Sequence, residues 1–219
     1  MRPIVSGIGS APHNIAKVLA KPLTKALGSL NTAHIRNTSD MMQRQRLTTS
    51  ITRSWPVLMS ALFTNVPVNG ALDAIKEVVD ATDDNILPLP KDQYMRMVTL
   101  CMQFGCFKFN GSECVQHNGL AMGSPLSPIG ACLYLEDFER SRSLDIIGPD
   151  SGWMRYVDDV LVVVPQDMDL DEKLNLLNAV PKIQFTLEKE QDAQLVFLDT
   201  SILRTDSNFK FEVFRKPYQ

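Results

Sequence analysis

Two adjacent carboxylates, Asp158 and Asp159, stand in the stretch RYVDDVLVVV (155–164), between an aromatic residue and an aliphatic run. Neighbouring acids repel each other, so the pair needs a reason. One reason is a tight turn, where Asp is favoured because its side chain bonds local backbone. The other is a divalent cation. The tetrapeptide VDDV lacks the Gly or Asn that supplies positive φ in a two-residue hairpin, and it has hydrophobic strand on both sides. Ionised carboxylates in such surroundings are costly unless a cation compensates them. Mg²⁺ takes hard oxygen ligands and keeps waters and substrate phosphates. Two such ions about 3.5–4 Å apart can clamp the attacking and leaving oxygens of a phosphoryl transfer. Taken alone, the four residues favour the turn.

A second motif precedes the acids by about thirty residues. NGLAMGSPLSP (118–128) is a glycine-rich turn, in which Gly119 and Gly123 let backbone approach a flat partner while Pro125 and Pro128 stiffen the chain. Alone, it reads as a well-punctuated helix start.

The elements that must hold these motifs follow from periodicity. Residues 12–30 predict a helix with Ile15, Leu19, Leu23 and Leu27 inward and a kink at Pro22. Asn69 is the expected cap of a helix bearing Leu72, Ile75 and Val79. Another helix follows Pro90, with Tyr94, Met97, Val98 and Cys101 as its inner stripe. CFKFNGSECVQ (106–116) signals a hairpin about Asn110-Gly111. Ser127-Pro128 opens a helix burying Ile129, Cys132, Leu133 and Phe138. A strand–turn–strand over 154–164, a helix with Leu170, Leu174 and Leu177, and strands near 183–187, 195–203 and 209–214 complete an α+β chain.

Composition narrows the function. At 219 residues with 44% hydrophobic content the chain can build a core, and no run is apolar enough to span a bilayer. There is no leader pattern, so an intracellular, membrane-free protein is expected. Cys101, Cys106, Cys114 and Cys132 lack C-x-x-C spacing and stand apart from His13, His34 and His117, which argues for free thiols over zinc. Net charge is −3, which excludes a general basic coat but not a charged groove. Lys17, Lys21, Lys25, Arg36, Arg44, Arg46 and Arg53 precede most of the acids, Asp40 being the single acid among the first 53 residues. That asymmetry suggests a basic face, although solvated helix surface is the commoner meaning of such residues.

Together, AMGSPLSP and RYVDD resemble the reverse transcriptases, most closely those of Penelope-like retroelements. Further matches are collinear: RPIVSGIGSAPHNIAKVLAKPL (2–23), HIRNTSD (34–40), LFTNVPV (62–68), FTLEKE (185–190), FLD (197–199) and FRKP (214–217). The resemblance implies a right-hand polymerase palm, a ferredoxin-like antiparallel sheet with packing helices, plus partial fingers. Residues 1–54 would be partial fingers and the approach to the palm, and 55–219 the palm through the primer-grip region, with the thumb absent. It also implies RNA-directed DNA polymerase activity with Mg²⁺ (two ions, Mn²⁺ as a substitute) at Asp158 and Asp159. Gly123, Ser124 and Pro125 would shape the nucleotide pocket. Arg2 would steady the triphosphate, Phe63 would exclude ribose, and Phe197, Leu198 and Asp199 would grip the primer. The implied partners are RNA template, DNA primer and dNTP, in the nucleus, with a thumb and a GIY-YIG endonuclease in the full-length parent.

One departure is informative. The family carries a third metal-binding Asp five residues before the gating aromatic, and that count lands on Leu58; SITRSWPVLMSA (50–61) contains no acid. Any TTG or CTG codon for Leu58 followed by ATG for Met59 contains GAT, an Asp codon. We hypothesise that this stretch is translated out of frame between two compensating indels; a gene sequence whose shifted frame lacks Ser-Phe-Asp-Val would refute that. Either way the chain is expected to be impaired. The alternatives are a non-catalytic remnant that at most binds nucleic acid, and an RNA-templated RNA polymerase. Pro56, on an expected central strand, adds a risk of local misfolding.

Overall fold

The computed structural model describes residues 10–28, 33–45, 53–54, 56–60, 65–109, 112–116, 118–148, 151–179, 183–205 and 209–215. The chain forms two compact units, one of 1–31 and 61–140, the other of 32–60 and 141–219.

The first unit is mainly helical. α1 (Ala11–Ala26) is capped by Ser10, whose hydroxyl accepts the His13 N–H at 3.3 Å. Its buried residues are Ala16, Leu19, Ala20 and Leu23, while Ile15 is 37% exposed. A strict four-residue repeat drifts around a 3.6-residue helix, so the predicted stripe cannot stay inward along its whole length. α3 (Val68–Ala81) begins behind Pro67 with no side-chain cap, so the expected capping role of Asn69 is not taken up. α4 (Lys91–Gln103) follows Pro90 and buries Tyr94, Val98 and Met102. β3 (Cys106–Phe109) and β4 (Ser112–Val115) form the predicted hairpin, and α5 (Ser127–Phe138) buries all four expected residues. α3 and α5 approach closely at two glycines. A Cβ on Gly70 would stand 2.6 Å from the Tyr134 ring, and one on Gly130 would stand 3.4 Å from Ala71. Buried Glu136 accepts the Gly28 N–H at 2.8 Å, fastening the end of α1 to α5.

The second unit holds the sheet. β1 (Arg53–Ser54) and β2 (Val57–Ser60) lie along β6 (Asp159–Pro165) in one continuous register. The interruption includes Pro56, which has no N–H to donate, yet its carbonyl accepts the Val162 N–H at 3.0 Å. The proline splits the strand assignment without breaking the ladder. β5 (Gly152–Tyr156) pairs with β6, and β7 (Phe185–Glu188) with β2, all antiparallel. Across the sheet the order is β7–β2–β6–β5. First and third strands are therefore central, as in a ferredoxin-like βαββαβ unit. On one face Leu58, Val162, Val164 and Leu187 meet α6 (Leu144–Ile147) and α7 (Leu170–Asn178). On the other, Val57, Met154, Leu161 and Val163 pack with Ile35, Met41, Leu195, Phe197 and Ile202. Met41 belongs to α2 (Thr38–Gln45). The last three belong to a second sheet of β8 (Gln194–Phe197), β9 (Thr200–Arg204) and β10 (Phe209–Val213). The stretch predicted as one strand over 195–203 is thus a hairpin. Among the described residues no helix is long and apolar enough to cross a membrane.

Candidate active site

The β5–β6 hairpin turns on Val157 and Asp158, with Tyr156 and Asp159 as its last paired residues. The positive φ for which the turn offers no Gly or Asn is taken by Val157, at +55°. A β-branched residue in the left-handed region is an outlier that its surroundings must enforce. Two features enforce it. The ladder behind the turn is complete from Gly152 to Tyr156, and the fully buried Arg155 donates from Nη1 to the Val157 carbonyl at 3.2 Å.

Arg155 is itself held on both sides. Its N–H donates to Ala33 O at 2.9 Å and its carbonyl accepts the Ile35 N–H at 2.8 Å, so 33–35 extends the outer edge of β5. That edge is stiffened by α2, where Asp40 accepts from the Arg36 N–H at 3.0 Å and Arg44 Nε at 3.1 Å, while Arg44 Nη2 reaches His34 O at 2.8 Å. Burial alone would raise the Asp40 pKa, but these hydrogen bonds and the two arginine charges carry it below its ordinary value. Burial, then Arg155 and Arg44, lower that of His34. Sequence reasoning missed Arg155 as the support of the turn. The available signal was a charged residue on a strand otherwise flanked by apolar positions.

Asp158 and Asp159 are both half-buried. Position 59 is the register partner of Asp159, while Leu58 is paired with Val160. Leu58 is 4% exposed, against α7. The spacing of the resemblance points to position 58 for the missing carboxylate, whereas the register sets the neighbouring position 59 across from Asp159, and along a strand one step reverses the face. The chemistry of the donors can then be tested against a metal. Asp158 and Asp159 provide hard oxygens suited to Mg²⁺, but β2, Val-Leu-Met-Ser, has no carboxylate. Among the described residues no group of three His, Cys, Asp or Glu could hold an ion. The residues fit a partial cation site, not a two-ion clamp.

The remaining predicted residues fall in several places. Gly123 has φ +134° and is exposed, Ser124 and Pro125 are half-buried, and the loop is closed by Ser124 N–H to Ala121 O and Ser127 N–H to Ser124 O, each 3.2 Å. These belong to the first unit, the acids to the second. Phe197 is a core residue at 2% exposure, while Leu198, at φ +55°, and exposed Asp199 make the β8–β9 turn. Arg2, Phe63, Trp55 and His117 lie outside the described residues.

A β7–β2–β6–β5 antiparallel sheet with an acidic pair at the tip of its β5–β6 hairpin is the arrangement of a right-hand polymerase palm. The sequence agrees: residues 10–190 match the family described as Reverse transcriptase (RNA-dependent DNA polymerase), and the chain belongs to that family. Reverse transcriptase domains in general use divalent metal ions. No curated protein matches the chain. Among solved structures it is similar to apo telomerase from Candida tropicalis, with a TM-score of 0.66 at 11% identity over 91% of this chain and 40% of that one. A C-terminally truncated form of that telomerase gives 0.61 at 14% over 91% and 45%. Telomerase from Candida albicans in complex with a fragment of telomeric RNA gives 0.62 at 14% over 91% and 38%. The chain thus spans less than half the length of these relatives in fold.

Proposed function

We propose that the chain is the RNA-directed DNA polymerase domain of a retroelement of the Penelope-like group, and that as written it polymerises weakly or not at all. The observation that carries the second half is the register: the position across from Asp159 is Met59, a thioether where a hard oxygen ligand is needed. The reaction of the intact parent is attack of a primer 3′-hydroxyl on the α-phosphate of a dNTP, templated by RNA, with pyrophosphate leaving. Asp158 and Asp159 would hold the divalent cation, expected to be Mg²⁺, which screens phosphate charge when bound. Arg155 keeps both acids on a rigid turn. Gly123, Ser124 and Pro125 would bound the pocket for template and incoming base. Arg2 would steady the triphosphate, Phe63 would exclude a 2′-hydroxyl, and the Leu198–Asp199 turn would support the primer. A nuclear location, a division of the chain into fingers up to residue 54 and palm beyond, and a thumb and GIY-YIG endonuclease in the parent belong to the same reading.

The test is primer extension on an RNA template with Mg²⁺, comparing the unmodified chain, Leu58→Asp and Met59→Asp, with dNTPs and NTPs in parallel. Extension by the unmodified chain refutes impairment, and preference for NTPs refutes DNA synthesis. The absence of any carboxylate from β2 also favours a second reading, a remnant that binds nucleic acid without catalysis. That reading gains if neither variant extends while primer–template still binds.

A further inference from the structure

α1 (APHNIAKVLAKPLTKA) contains no acidic residue, in a chain whose net charge is −3. Its inner face is fixed in the first unit by Ala16, Leu19, Ala20 and Leu23, and by the Tyr94 hydroxyl, which donates to the Leu19 carbonyl. Its outward face is therefore set as well. Lys17, Lys21 and Lys25 follow one another there at four-residue intervals, and all three are exposed. Four helical residues rise about 6 Å and drift about 40°, so the ammonium groups form a slanted row about 12 Å long. Four other lysines find carboxylates, Lys76 with Asp80, Lys91 with Asp84, Lys189 with Asp171 and Lys210 with Glu212, while Lys173 on α7 stands alone among the described residues without forming part of a row. The three on α1 have no such partner among the described residues. Val18, 51% exposed, lies beside the row.

A solvated surface helix ordinarily mixes both charge signs; a row of one sign, unneutralised and at regular spacing, is a device for a polyanion. The step along the row is of the order of the distance between successive phosphates on one strand. Lysine suits that task because a compact point charge on a flexible stem tolerates variation in phosphate position. Val18 beside the row would meet a sugar or base face. An anionic membrane surface fits less well. An interfacial helix must bury its apolar face in lipid, and that face of α1 is already buried in protein.

We propose that Lys17, Lys21 and Lys25 form a phosphate-tracking surface that binds one strand of the nucleic acid on which the domain acts. The inference rests on the polymerase reading for the identity of its partner, but it does not need catalysis. Its test is binding of a labelled RNA–DNA primer–template to the full chain, followed by anisotropy across a salt series. The intact chain is compared with K17E/K21E/K25E, with K17R/K21R/K25R, and with a control in which Lys76, Lys91 and Lys210 are changed to Glu.

Each phosphate contact contributes about 0.7 to 0.9 to the slope of log K against log salt. The α1 glutamate variant should therefore lose about 2 to 3 from that slope, while the arginine variant and the control keep it. An unchanged slope in the glutamate variant, with its thermal unfolding also unchanged, overturns the surface and leaves the polymerase reading standing. Failure of the unmodified chain to bind primer–template overturns both. Binding to phosphatidylserine vesicles that is lost in the glutamate variant while the nucleic-acid slope persists would assign the row to a membrane and also overturn the proposal.

Discussion

Val157 is where the hairpin stores its strain. A β-branched residue at φ +55° costs about 1–3 kcal/mol relative to a relaxed turn, and glycine would remove that cost while losing about 0.5–1 kcal/mol to the entropy of the unfolded chain. Val157→Gly should therefore raise stability by about 1 kcal/mol in urea unfolding, while weakening any Mn²⁺ binding at Asp158 and Asp159, followed by electron paramagnetic resonance, because glycine gives the turn a wider choice of conformations. Lower stability would contradict the strain. The acidic pair was legible in the sequence because two adjacent carboxylates beside an aliphatic run demand an explanation. The conformation of Val157 was not, because turn propensities assign positive φ to Gly and Asn, and what overrides them is pairing that a propensity does not count: the ladder to β6 and the guanidinium of Arg155.

At the level of elements, most of the helices were legible from apolar periodicity and proline punctuation, whereas their faces and caps were less so. The close approach of α3 and α5 rests on the absence of a side chain at Gly70. Alanine is normally favoured over glycine in a helix by about 1 kcal/mol, but here its Cβ would stand 2.6 Å from a ring carbon of Tyr134. Gly70→Ala should destabilise the fold by about 1–3 kcal/mol, and Tyr134→Leu in the same chain should recover most of the loss in urea unfolding. The edge formed by 33–35 makes a second prediction. His34 is held below its ordinary pKa by burial and by Arg155 and Arg44. In the unfolded chain it titrates near 6.5, so below that pH the unfolded state binds more protons. The contribution of His34 to stability is then complete above about pH 6.5 and is lost as pH falls through the lowered folded value. Melting measured from pH 7.5 to 5.5 should fall less steeply in His34→Asn. An identical slope would show that His34 is not the group responsible. None of this was visible in HIRNTSD itself, because the charges that act on His34 include one more than a hundred residues away.

For the molecule as a whole, the collinear resemblance of its motifs to the reverse transcriptases made the palm legible before any strand was paired, and the β7–β2–β6–β5 sheet has that fold. A single-residue difference in register governs the final prediction. Leu58 is buried against α7 and across from Val160. A carboxylate there would be an unpaired charge in an apolar core, and large destabilisation is the usual result of burying one. Leu58→Asp should therefore fail to extend a primer and should also unfold at markedly lower urea concentration, so its inactivity says nothing about the metal. Met59→Asp adds a carboxylate directly across from Asp159, where a shared cation would offset the repulsion. It should keep its stability in the presence of Mg²⁺, become sensitive to chelator in thermal unfolding, and extend a primer faster than the unmodified chain by about 10²-fold or more, the usual scale for restoring one electrostatic stabiliser of a transition state. If Met59→Asp gains chelator-sensitive stability without extension, the cation site has been rebuilt and the remaining deficit lies in the grip on duplex. If it gains neither, the register argument is wrong, and with it the proposed cause of impairment.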